Sequence, residues 1–255
     1  MTPLDTIPLD DRGLLLGDGL FETVLARSGE LVALAAHLDR MVAGCVVLGL
    51  PAPDRGEAER LMRRALVEAG LETARAAVRL TYTAGSGGRG LDRPAEAAPR
   101  LFCTAAASSV PATPARLMIS SVRRNEGSPA SRLKTLSYLD NVLARREASL
   151  AGADEAVMLN GAGQVACAAA ANLFWVRGGE VFTPALTCGV LDGIVRRQVM
   201  TAVSVSEVAV GVEALAGAEA IFLTNSLIGV REVASLDGRS LAGSARVAEI
   251  AALIG

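Results

Sequence analysis

Residues 131–148 read SRLKTLSYLDNVLARREA, and Lys134 near their head is the only lysine among the chain's 25 basic residues; the other 24 are arginines. A GC-rich codon bias toward Arg and Ala explains why lysines are scarce, not why one is kept. On a solvated surface the two cations do similar work. They differ where an amine must lose its proton, because a guanidinium stays charged while an ammonium can be tuned down from roughly 10.4 by burial or neighbours. A lone lysine among arginines is therefore a candidate for amine chemistry, a Schiff base above all. The alternative is a plain surface lysine.

Working outward from this stretch, the spacing predicts a helix from about Tyr138 to Ala151, preceded by the irregular segment RRNEGSPASRLK (123–134). Strands are predicted at 116–122, 155–160, 164–168, 171–176, 180–183 and 219–224, with helices at about 192–203 and 241–254. In the first half, LFETVLAR (20–27) and LVALAA (31–36) read as a hairpin across Ser28-Gly29-Glu30. Helices follow over 37–48 and 55–69, the second with Leu61, Ala65, Leu66 and Ala69 on one face. Strands at 76–84 and 100–107 flank the glycine-rich GSGGRG (85–90). VPATPA (110–115), with two prolines among small residues, is the best linker. Strands and helices on both sides of it predict two α/β or α+β lobes, 1–109 and 116–255, with a small-molecule site between them.

Composition narrows the function. The chain has 255 residues, enough for a large core, and is 51% hydrophobic but only 3% aromatic, so that core is built from Ala, Val and Leu. A net charge of −2 argues against a nucleic-acid partner. No apolar run approaches the roughly 18 residues of a membrane span. Cys45, Cys103, Cys167 and Cys188 are scattered and His37 is the single histidine, which excludes a zinc motif or a disulfide framework. A soluble cytoplasmic protein with no metal, no nucleic acid and no membrane contact is the expectation. GSGGRG is neither a P-loop, lacking Lys-Ser/Thr, nor G-x-G-x-x-G.

Several stretches occur in an order that resembles one family. GDGLFETV (17–24), HLDRM (37–41), SRLKTLSYLDNVLARREA (131–148), GADEAVML (152–159), ANLFWVRGGEVFTP (171–184), GVLDGIVRRQV (189–199) and TNSLIGV (224–230) together resemble the fold-type IV pyridoxal-phosphate enzymes: branched-chain aminotransferases, D-amino-acid transaminases and 4-amino-4-deoxychorismate lyases. GSGGRG, ANLFW and the NSL stretch look most like the lyases. The resemblance implies the two-lobed fold-type IV architecture and pyridoxal 5′-phosphate as cofactor, held by the Lys134 imine. It implies that Arg40 grips the cofactor's phosphate, as a guanidinium does well, with His37 as its structural neighbour. Gly193, Ile194 and Val195 open a helix whose free amides suit an anion, and the resemblance implies that they bind the same phosphate, with Asn225 and Ser226 on the other side. Asn172 lies in the matching ANLFW stretch. Arg89, at the tip of a flexible GSGGRG loop, would meet a substrate carboxylate; the alternative is a plain hairpin loop.

The chain departs from the family at Val195, Ala84, Ala166 (where a threonine is usual) and Cys167. Val195 lacks the hydroxyl of the threonine in many relatives, and Ala84 stands where some carry an arginine. Cys167, five residues before Asn172, stands where the family has the glutamate that keeps the cofactor's ring nitrogen protonated. A thiol in that place makes the ring a weaker electron sink, unless it ionises beside the cationic ring.

The resemblance therefore implies a 4-amino-4-deoxychorismate lyase that forms 4-aminobenzoate, a folate precursor, and pyruvate. The alternatives are a D-amino-acid or branched-chain aminotransferase, and a weakly active or non-catalytic relative on account of Cys167. The substrate is a small amino-acid-like molecule and the assembly a homodimer.

Overall fold

The computed structural model describes residues 6–254, which fall into two compact units: the residues up to Ser109 with Leu133–Ser137, and Val110–Arg132 with Tyr138 onward. The first unit contains α1 (Arg12–Leu16), β1 (Gly19–Arg27), β2 (Glu30–Leu31), α2 (Leu34–Leu48), α3 (Arg55–Glu68), β3 (Ala76–Thr83) and β4 (Arg100–Ala107). Its strands form an antiparallel sheet in the order β2-β1-β3-β4. Side chains alternate across a strand, so Leu20, Val24 and Ala26 of β1 share one face with Val78, Leu80 and Tyr82 of β3. Leu38, Met41 and Cys45 of α2 and Ala58, Met62 and Leu66 of α3 cover that face. Phe21, Thr23, Arg79 and Thr81 are left to the other.

Two expectations change here. The predicted strand at 31–36 is only Glu30–Leu31, and α2 starts at Leu34 rather than His37. Ala33 adopts a left-handed conformation (φ 53°), which ends the extended run and turns the chain into the helix. Lys134, expected in the second lobe, belongs to the first unit. Its segment adds itself to β1: Phe21 N–H donates to the Lys134 carbonyl at 2.9 Å, and Leu136 N–H donates to the Gly19 carbonyl at 3.0 Å.

The second unit contains β5 (Ala115–Arg124), α4 (Leu139–Leu150), β6 (Glu155–Asn160), β7 (Val165–Ala168), β8 (Asn172–Arg177), β9 (Glu180–Pro184) and α5 (Ile194–Ala202). These are followed by β10 (Val205–Val208), α6 (Glu213–Ala216), β11 (Ala220–Asn225), β12 (Gly229–Leu236), β13 (Arg239–Ser240) and α7 (Ala245–Ile254). The nine strands form one mixed sheet in the order β10-β9-β8-β11-β12-β5-β6-β7, with β13 beside β12. Val165 N–H of β7 donates to the Val210 carbonyl, just past β10, at 2.9 Å, so the sheet curls until its two ends meet. Leu159, Trp175, Leu223 and Val233 pack together on one face. On the other, Phe174 and Phe222 stack with centroids 4.9 Å apart and pack with Val199 of α5 and Ile250 of α7. Ala144 and Ala148 of α4 pack on Met158 and Cys167. Ala115, the last residue of the expected linker, already pairs with Val233 and opens β5. Among the described residues, no helix is long and apolar enough to cross a membrane, and no cluster of side chains suits a metal ion.

Candidate functional site

In the first unit, the Lys134 amine lies 4.1 Å from the centroid of the Phe21 ring, and the guanidinium carbon of Arg79 lies 3.7 Å from the same centroid. A ring face attracts cations, so one buried phenyl, 5% exposed, collects both the amine and a second, exposed cation. The sequence-based list of site residues lacks Arg79. The signal is present in AAVRLTYT (76–83): alternation sends Val78, Leu80 and Tyr82 into the core and puts Arg79 on the other face with Thr81, which pairs with Phe21.

Glu22, the next residue of β1, points the opposite way and is 1% exposed. Arg40 of α2 grips it with two nitrogens, Nε to Oε1 at 2.8 Å and Nη2 to Oε2 at 2.6 Å. His37, one turn earlier on the same helix, meets Oε2 through Nδ1 at 2.7 Å. Burial pushes the Glu22 carboxyl up, but the hydrogen bonds from Arg40 and His37 outweigh it and hold the group below the usual carboxylate range. A strand carboxylate thus fixes the rotamers of both helix side chains, including the arginine expected to meet a phosphate.

The GSGGRG loop differs from the flexible segment predicted. Arg12 of α1, itself 5% exposed, sits beneath it and donates to the carbonyls of Gly87 and Gly90 (3.5 Å each), Leu91 (2.9 Å) and Asp92 (3.0 Å). Arg12 Nε and Arg93 both hold Asp18, at 2.9 Å and 2.5 Å. The two cations outweigh Asp18's burial: the hydrogen bond from Arg93 is the largest influence, and the net effect lowers its carboxyl. Gly88 has φ +86°, and a Cβ there would strike the Asp92 carbonyl, so the close wrap requires glycine. Arg89 is exposed at the tip of this pinned loop, and Ala84 is buried at its base.

In the second unit, Gly193 is the N-cap of α5, and no side chain caps the helix. The amides of Ile194 and Val195 therefore lack intrahelical partners and stand at the positive end of the helix dipole. Asn172, the first residue of β8, donates Nδ2 to the Leu191 carbonyl at 2.8 Å. Its Oδ1 fills the space that a Cβ on Gly193 would need, which holds the turn in place. Asn225, the last residue of β11, accepts from the Leu227 and Ile228 amides at 2.9 Å each and donates to the Ala170 carbonyl at 2.9 Å. Its side chain shapes the turn that presents Ser226. The neighbouring Thr224 is fully buried, and its Oγ1 has no hydrogen-bond partner.

Cys167 lies on β7, opposite Met158 of β6, and is 6% exposed. Burial pushes its thiol up against the opposing pull of the nearby Arg124 guanidinium, so at neutral pH it is a thiol and not a thiolate. Arg124 donates to the carbonyls of Ser131 and Gly189 and to Asn141 Oδ1, and Asn141 donates onward to the Ala169 carbonyl at 2.7 Å. This arginine therefore ties the loop before α5 to the loop after Cys167. Glu155, 5% exposed, pairs with Arg145 at 2.9 Å; its carboxyl is raised by burial, which Arg145 only partly offsets.

Pyridoxal 5′-phosphate asks a protein for an amine, a set of donors for its phosphate and a partner for its ring nitrogen. Lys134 offers the amine. The uncapped start of α5 suits an anion such as a phosphate. Cys167, expected from the resemblance to meet the ring nitrogen, is a neutral thiol. Of the three expected groups, the amine and the uncapped helix start suit the cofactor, and the neutral thiol does not supply a carboxylate.

Residues 19–236 match the model of the amino-transferase class IV family. The aminodeoxychorismate lyase of Vibrio harveyi is 29% identical over 246 residues, covering 92% of this chain and 89% of its own. A Methanocaldococcus jannaschii protein provisionally named a branched-chain-amino-acid aminotransferase is 32% identical over 249 residues, covering 90% and 82%. The crystal structure of a Legionella pneumophila protein, provisionally named a 4-amino-4-deoxychorismate lyase, superposes with a TM-score of 0.91 at 28% identity, covering 99% of this chain and 95% of that one. The chain belongs to the class IV aminotransferase family, whose enzymes work with pyridoxal 5′-phosphate.

Proposed function

We propose that this protein is a lyase that splits 4-amino-4-deoxychorismate into 4-aminobenzoate and pyruvate. The observation that carries this reading is likeness in both sequence and fold, over nine-tenths of the chain or more, to proteins bearing that name. Bound pyridoxal 5′-phosphate would supply the electron sink for breaking a bond beside the substrate's amine-bearing carbon. Lys134 Nζ would anchor the cofactor and then, once released, take the proton from that carbon. Loss of this proton and of the enolpyruvyl C–O bond leaves an aromatic ring, and the released three-carbon fragment becomes pyruvate. Arg79, over the same Phe21 ring as the amine, is suited to hold a substrate carboxylate. Glu22 would keep Arg40 aimed, and the amides of Ile194 and Val195 would face the phosphate with Ser226.

Aminotransfer is the second reading, supported by the 32% identity to the Methanocaldococcus jannaschii protein and by Glu22 within GDGLFET. The two separate cleanly. A lyase turns over repeatedly on 4-amino-4-deoxychorismate alone, with 4-aminobenzoate measured by its fluorescence. An aminotransferase stops after one equivalent until a keto acid is added. Release that depends on the keto acid, or no release at all, would defeat the lyase reading.

Cys167 bears on speed. Cys167→Glu is expected to raise turnover about tenfold, about 1.4 kcal/mol off the barrier, with Arg124 close enough to accept the new charge. An unchanged or lower rate in a variant that still binds the cofactor would show that the missing carboxylate does not limit the native protein.

The partner in this reading is a second copy of the chain. Leu14 (58% exposed) and Leu15 (63%) on α1 and Leu91 (84%) on the loop that Arg12 holds are exposed apolar side chains that a second copy would cover. Light scattering should give twice 26.2 kDa; a value of one chain mass would remove the dimer.

A further inference from the structure

The start of α5 holds an observation that the expected donor set leaves unexplained. Thr224 is 0% exposed and its Oγ1 has no partner. A buried hydroxyl without a hydrogen bond costs about 1–3 kcal/mol, and valine would fill the same space without that cost. Pairing and packing put this side chain on the face of the sheet that α5 covers. Thr224 pairs with Asn172 across β11 and β8, so the two share a face of the sheet, and Asn172 is the residue wedged against Gly193 at the N-cap. Two residues earlier on the same face, Phe222 packs against Val199, further along α5. The strand therefore passes beneath the helix and brings Thr224 to its uncapped end. Val195 on that first turn carries no hydroxyl.

We propose that Thr224 Oγ1 donates to the anion bound at the start of α5 and supplies the hydroxyl that Val195 lacks. The anion is a phosphate monoester, and under the functional reading above, on which this proposal rests, it is the cofactor's own phosphate. A donor on β11 adds a contact from the sheet below to those from the helix amides, and a helix N-terminus with a buried hydroxyl beside it favours a doubly charged oxyanion. The orphaned group is then satisfied only when the ligand is present.

Three proteins test this: the native chain, Thr224→Val and Thr224→Ser. Each is titrated with pyridoxal 5′-phosphate and, separately, with pyridoxal, which lacks the phosphate, and is melted with and without inorganic phosphate. Thr224→Val should bind pyridoxal 5′-phosphate about tenfold more weakly or worse, bind pyridoxal as the native chain does, and melt no lower without ligand. Its stabilisation by inorganic phosphate should shrink. Thr224→Ser should restore both. Equal affinity of Thr224→Val and the native chain for pyridoxal 5′-phosphate would overturn the proposal, as would equal weakening toward both aldehydes. If the native chain binds neither aldehyde, the functional reading fails; the phosphate melts still decide whether Thr224 serves an anion, with an unchanged shift in Thr224→Val counting against it.

Discussion

Lys134→Arg is expected to cut turnover by about 10³-fold or more while leaving the fold intact. Arginine keeps a cation over the Phe21 ring, so the electrostatic contact survives, but a guanidinium neither adds to an aldehyde nor releases a proton near neutral pH. What is lost is the amine itself, worth about 10²–10⁴ as a proton carrier alone. The variant should show the absorbance of free cofactor, and a small primary amine such as methylamine should restore part of the rate. A variant of near-native activity would mean that another group does the chemistry, and among lysines there is none.

The second large effect is on stability. Glu22→Ala would leave Arg40 and His37 facing a buried space without their carboxylate, and breaking a buried ionic contact in this way costs about 3–5 kcal/mol. Against a total of about 5–15 kcal/mol, the melting temperature should fall by about 10 °C. The same carboxylate sets an acid limit. Its pKa in the folded chain lies below the ordinary 4.5 because the hydrogen bonds from Arg40 and His37 outweigh its burial. Its contribution is therefore fully present above 4.5 and is lost as pH falls through the depressed folded value. Glu22→Gln, neutral at every pH, should be less stable near neutrality and should lose part of the native chain's decline in acid. If Glu22→Ala melts within about 2 °C of the native chain, the cluster is not the support described here.

Much of this was legible in the sequence. The strands Arg100–Ala107 and Glu155–Asn160 end where the apolar runs end, and α3 and α4 lie within about a residue of their predicted bounds. β12 was not predicted, although it is central to the second sheet. Its pairing shifts register between Val233 and Ser235, and a bulge breaks the two-residue alternation that would have marked it. The place of Lys134 in the first unit was also hidden, because two backbone hydrogen bonds to a strand more than a hundred residues away decide it. The GSGGRG loop looked mobile from its glycines alone. Its anchor, Arg12, is a distant arginine among 24, with nothing in the sequence to single it out. Thr224 is invisible for a different reason: a threonine ending a strand is ordinary until its hydroxyl is found without a partner.

The measurement that tests the account most directly is reduction of the native protein with borohydride after addition of pyridoxal 5′-phosphate, followed by peptide mass mapping. A single pyridoxyl group on the peptide containing Lys134, with a shifted absorbance band before reduction, is the predicted result. No band and no adduct, or an adduct confined to the N-terminal amine, would contradict the assignment of Lys134 as the residue that holds the cofactor.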